Sequence, residues 1–187
     1  MKTQQIKEIS IALLSIVFLN LNAQENKQSA FSFNYNYQIP IGNLTNTFGN
    51  NSAIGTSYFL EKSNNIIFGI EAGYMFAANI KDSTIFDNIS TSTGEIIGAD
   101  GRYANLNVMQ RGIFAHLLAG YAFHFSENNL SGIYISQGIG YLQHQIFIDT
   151  KNQNVPQLDE KMKKGYDRFS NGLSTKLYVD YKYYHQK

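Results

Sequence analysis

The sequence predicts an all-β chain: an antiparallel up-and-down transmembrane β-barrel, eight-stranded in full form, with about six strands present and the C-terminal hairpin missing. Three observations carry that expectation. Apolar and polar residues alternate with period two over long stretches, the connections between these stretches alternate between short and long, and the 187-residue chain combines only 16% charged with 14% aromatic residues. An average soluble domain is roughly 25% charged, so low charge with 13 Tyr, 13 Phe and 15 Gly suits a protein with one lipid-facing surface. The absence of Cys excludes a disulfide framework and Cys-based metal sites. The net charge of +1 removes the basic excess of a general nucleic-acid binder.

Residues 1–23 read as a signal peptide and residues 24–187 as the barrel domain. Lys2 and Lys7 precede an apolar run at 11–19, and Ala23 supplies a small residue at the cut. The competing reading, a membrane anchor, needs roughly 20 apolar residues, far more than this run supplies.

The first strand places Phe31, Phe33, Tyr35, Tyr37 and Ile39 on one face and Ser32, Asn34, Asn36 and Gln38 on the other. The second, 51–60, turns Ile54, Thr56, Tyr58 and Leu60 outward. In the third, 65–78, Ile66, Phe68, Ile70, Ala72, Tyr74 and Phe76 form an uncharged face, while Glu71 shares the other with glycines. The fourth, 106–125, is far longer than the five or six residues usual in soluble strands; Ile113 to Phe125 alternate against Gly112, His116, Gly120 and His124. The fifth, 131–148, is blurred by Gln137, Gln143 and Gln145. In the sixth, 168–184, Leu173, Leu177, Val179 and Tyr181 oppose Lys176, Asp180 and Lys182.

Polar turns at 61–64 and 126–129 are short, and the links 41–50, 79–104 and 149–167 are long. Outer-membrane barrels place short turns in the periplasm and long loops outside, so the first strand runs outward. Six strands do not close such a barrel, whose strand number starts at eight. A final hairpin is therefore expected to be missing, with an extra hairpin at 85–97 as the alternative.

The signal ending in Asn22, Ala23 and Gln24, the alternating aromatic strands, the stretch Pro40–Leu44 through Phe48 and Gly49, and Lys164–Arg168 at the entry to a late strand resemble small outer-membrane β-barrel proteins of the Bacteroidota, the porin-like or OmpA-like superfamily. The resemblance implies residence in the outer membrane, contact with its lipid, insertion by the barrel-assembly machinery, and an eight-stranded barrel. It implies no particular activity. Family members end in a strand with a terminal aromatic residue, and Lys187 departs from that pattern.

Glu71, Lys176, Asp180 and Lys182 are the expected polar network of the interior, with Glu71 pairing with Lys176 or Lys182. The loop residues Leu158, Asp159, Glu160, Lys161 and Met162 are the expected exterior contact, on a short helix begun at Pro156 and ended at Gly165. His116 and His124 share a strand eight positions apart, about 26 Å at 3.3 Å per residue, and cannot hold one ion. His144 and Ser136 are equally separated, and no local motif marks a nucleophile. The reading is a non-enzymatic structural or accessory envelope protein with a surface-contact role, without cofactor or metal and with an envelope protein as partner. The alternatives are a soluble exported barrel binding an apolar ligand, with large residues turned inward, and a lipid-modifying enzyme, with His, Ser and acidic groups clustered.

Overall fold

The computed structural model describes residues 26–126, 129–151 and 153–184. Residues 1–23, expected to be a signal peptide, the middle of the 126–129 turn and the last three residues lie outside them. Six strands follow one another: β1 (Asn26–Gln38), β2 (Asn51–Lys62), β3 (Ile66–Ala77), β4 (Asn107–Ser126), β5 (Asn129–Asp149) and β6 (Ser170–Lys182). They form one antiparallel sheet in the order β1-β2-β3-β4-β5-β6. Each strand is hydrogen-bonded to its sequence neighbours, the up-and-down order that the alternating connections predict. The sheet is not closed, and β1 and β6 are its edges.

No second layer covers this sheet, yet one of its faces is buried. The sheet must therefore curl on itself. Ser32, Asn34 and Asn36 of β1 line the same cavity, of about 310 Å³, as Tyr178, Asp180 and Lys182 of β6, and Gln28 Nε2 donates to the Tyr184 hydroxyl at 2.6 Å across the gap. Period two then decides what lies on each side. The concave face buries Met75 with Phe114 and Ala53, and Ile67 with Tyr134 and Ala122. The convex face leaves Phe33, Ile70, Leu117, Leu177 and Val179 exposed, with Leu173 at 93%.

The β2–β3 turn is tighter than the sequence predicts. Glu61 and Lys62 belong to β2, and the chain reverses over Ser63, Asn64 and Asn65. Asn65 takes φ 63°, a left-handed conformation that Asn tolerates better than most residues, and its N–H donates to Lys62 O. The long loops meet above the opposite end of the sheet. Phe48, Ile85, Ile96, Val155 and Leu158 pack there against Ile146 and Ile148 of β5. The alternative hairpin at 85–97 does not form. That segment makes turns, with an isolated bridge between Ile97 and Tyr103, because its apolar residues serve this loop core. The single helix expected between Pro156 and Gly165 is two 3₁₀ turns, Pro156–Leu158 and Met162–Gly165. Asp159 interrupts it: its backbone is extended, and its carboxylate accepts from the N–H groups of Lys161 and Met162.

Candidate functional site: a polar belt on the concave face

Strand register assembles the site. Ser32 lies opposite Ser57, Ser57 opposite Glu71, Glu71 opposite His116, His116 opposite Gly140, and Gly140 opposite Ser174. One inward position from each of the six strands thus falls on a single line across the sheet. Gly140 has a definite part in it, since a Cβ there would collide with the backbone of Ala115 and His116. With no side chain in between, the His116 ring on β4 reaches Ser174 on β6, and Nε2 and Oγ stand 2.6 Å apart.

Glu71 is the charge around which the belt is built. It is 8% exposed, and His116 is 1% exposed. A carboxylate so enclosed needs compensation. Lys176 Nζ lies 2.9 Å from Glu71 Oε1, the Tyr178 hydroxyl 2.6 Å from both carboxylate oxygens, and His116 Nδ1 3.0 Å from Oε1. The Nδ1 approach is close but lacks the alignment of a full hydrogen bond. The Lys176 ammonium also sits 3.6 Å from the centre of the Phe114 ring, a cation–π contact.

A second cluster lies nearer the β2–β3 turn. Glu61, fully buried, meets His124 Nε2 at 2.5 Å. The Tyr134 hydroxyl donates to Leu130 O at 2.7 Å, and Lys182 Nζ stands 3.5 Å from the Phe59 ring and 4.2 Å from that of Tyr134.

Of the expected interior network, the structure brings Glu71 and Lys176 together and separates the other two. Lys182 belongs to the second cluster, and Asp180 stands exposed on the wall of the cavity between β1 and β6. The expected loop contact needs one correction. Leu158 is 2% exposed and anchors the loop core, because the first 3₁₀ turn points it inward. Asp159, Glu160, Lys161 and Met162 remain at the surface. Sequence reasoning missed His116 as the partner of Glu71, the roles of Tyr178 and Ser174, and Glu61 as a buried strand residue. Asp82 in the β3–β4 loop is also functional in a structural sense. It accepts from the Thr84 hydroxyl at 2.7 Å and from Arg168 at 3.3 Å. The Thr84 hydroxyl holds its carboxyl below the usual range against the opposing effect of burial, and the Thr84 N–H and Arg168 add to the lowering.

Chemically, Glu71, His116 and Ser174 stand in the order acid, imidazole, hydroxyl. No protein-family model, curated protein or solved structure matches the chain. Fold and site therefore define a class only: an up-and-down antiparallel sheet, curled around an interior of charged and apolar groups, with large apolar side chains also exposed on its convex face.

Proposed function

We propose that this chain is an outer-membrane β-barrel protein with a structural or accessory role in the envelope, inserted by the barrel-assembly machinery and carrying its long loops at the cell surface. One observation supports this above the rest: the polarity of the sheet is inverted. The enclosed face holds Glu61, Glu71 and His116, and the face turned out carries Phe33, Ile70, Leu117, Leu177 and Val179. A protein folding in water buries such side chains, whereas a bilayer solvates them and disfavours charge.

The dimensions agree. On β4, ten positions separate Arg111, whose guanidinium stacks 3.4 Å from the Phe147 ring, from Tyr121. At about 3.3 Å per residue and a tilt near 40°, that covers the roughly 25 Å apolar band of an outer-membrane barrel. Aromatic side chains lie at both ends of the band: Tyr35, Tyr37, Tyr74 and Phe76 toward the loops, and Tyr121, Phe123, Phe125 and Tyr181 toward the turns. Polar groups between them on this face are hydrogen-bonded to one another: Gln137 donates to Thr175, which also donates to Gly138 O, and the Tyr141 hydroxyl donates to Gln143.

Pairing of the β1 and β6 edges completes the proposed barrel, because their free backbone groups would each cost several kcal/mol in hydrocarbon. The packed loop core suits a surface cap and an envelope-protein contact better than an open channel. Membrane fractionation tests the reading. The chain should stay with the outer membrane through salt and alkaline washes, leave it only in detergent, and migrate faster on gels when unboiled. Extraction in buffer without detergent overturns it.

A further inference from the structure

Beyond that structural role, and resting on the enclosed interior it assumes, we propose that Ser174, His116 and Glu71 form an acyl-ester hydrolysis site. Ser174 Oγ and His116 Nε2 stand at 2.6 Å, within the reach a nucleophile and its base require. His116 Nδ1 stands 3.0 Å from Glu71 Oε1, and such contacts commonly tighten only when substrate binds. The Glu71 carboxylate is itself held by Lys176 and Tyr178, which makes it a rigid positioning residue for the imidazole.

Room for an acyl chain lies one inward step along β6 from the hydroxyl, where Lys176 lines a cavity. Gly172, the preceding inward residue on β6, faces open space. Its cross-strand neighbour Leu142 lines a mostly apolar cavity of about 190 Å³ beneath the loop core, together with Phe48, Met75 and Phe114. Asn51 Oδ1 and Gln110 Oε1 in the same wall are buried and meet no donor. The chamber therefore fits a short acyl chain, and one carrying a hydroxyl group fits better than its deoxy counterpart.

The steps balance without a further reactant. His116 takes the Ser174 proton as Oγ bonds to the ester carbonyl carbon. The bond from that carbon to the alcohol oxygen then breaks, and the leaving oxygen takes the proton from His116. Water, deprotonated by His116, attacks the acyl-serine and releases the carboxylic acid as Ser174 recovers its proton.

The test uses the full chain in detergent, with faster migration of unboiled samples as the measure of folding. A fluorophosphonate probe should label Ser174, as read by peptide mapping. Ser174→Ala should abolish labelling, His116→Asn should slow it by about 10²–10⁴-fold, and the inward Ser136→Ala should leave it unchanged. Glu71→Gln should lower kcat for p-nitrophenyl butyrate with little change in KM. The p-nitrophenyl ester of 3-hydroxybutyrate should turn over faster than the butyrate; equal rates overturn the chamber assignment. Absence of labelling in folded protein, or labelling that persists in Ser174→Ala, overturns the site. Release of the chain without detergent would sink the membrane reading and leave the labelling result standing.

Discussion

Consecutive residues of β4 meet opposite surroundings. Leu117 is 68% exposed on the convex face, while His116 beside it is sealed between Glu71 and Ser174. The same reversal recurs on β6, where Leu177 projects outward and Lys176 and Tyr178 turn in toward one carboxylate. The difference teaches that the two faces are held by different forces. The concave face depends on charge compensation within the protein. The convex face depends on what solvates it.

The largest effect should come from breaking the concave side. Glu71→Ala leaves Lys176 and His116 facing a void, and losing one partner of a buried pair costs about 3–5 kcal/mol. Glu160→Ala, which removes an exposed partner of Lys163, should cost about 0–1 kcal/mol. Urea unfolding of both variants in lipid vesicles measures the contrast. Equal effects would mean that the Glu71 cluster is solvated like a surface pair.

Next comes the convex face. Leu117→Arg near mid-strand should destabilise the chain by about 2–4 kcal/mol in vesicles, and Phe125→Arg near the turn by about 0–1 kcal/mol. In water neither residue is buried, so a chain that folds there would tolerate both substitutions alike. The position dependence of this pair is therefore a measure of the surroundings of the face.

A smaller contrast lies between two inward glycines. Gly140→Ala drives a Cβ into the Ala115 carbonyl and the His116 Cα, whereas at Gly172 nothing lies within 4 Å. Overpacking typically costs about 1–3 kcal/mol, so Gly140→Ala should lower the unfolding midpoint and Gly172→Ala should leave it nearly unchanged.

How much of this was legible in the sequence follows from the same geometry. Period two exposes the two faces directly in β3, β4 and β6, where the alternation holds for ten residues or more, and most strand ends fall within a few residues of those it predicts. A tight turn fixes register, so the pairing of Ser57 with Glu71 across the 63–65 reversal is close to readable. The pairing of Glu71 with His116 is not. A long loop joins β3 to β4, and no turn tells which residue meets which. The bridge from His116 to Ser174 is further hidden, because it depends on an empty place at Gly140 on the strand between. The loop core was invisible for a related reason: Ile85, Ile96, Val155 and Leu158 follow no period, and only their meeting above the strands gives them a common environment.

The smallest expected effect tests whether that loop core is pinned independently of both faces. Asp82 ties the β3–β4 loop to Arg168 just before β6, with Thr84 as its nearest donor. Its folded pKa lies below the ordinary carboxylate value. The tie therefore stabilises fully above that ordinary value and is lost as pH falls through the lower, folded one. The pair is partly open to solvent, so the contribution is about 0.2–1 kcal/mol. Hydrogen exchange of the 79–106 amides, corrected for intrinsic rates, should quicken as pH drops through the acid range, while the β4 amides remain protected. Asp82→Asn should show the quicker exchange already at neutral pH and no further change on acidification. Equal acid sensitivity in both proteins would assign the loosening to another carboxylate, and simultaneous loss of protection in β4 would mean that loops and sheet open as one unit.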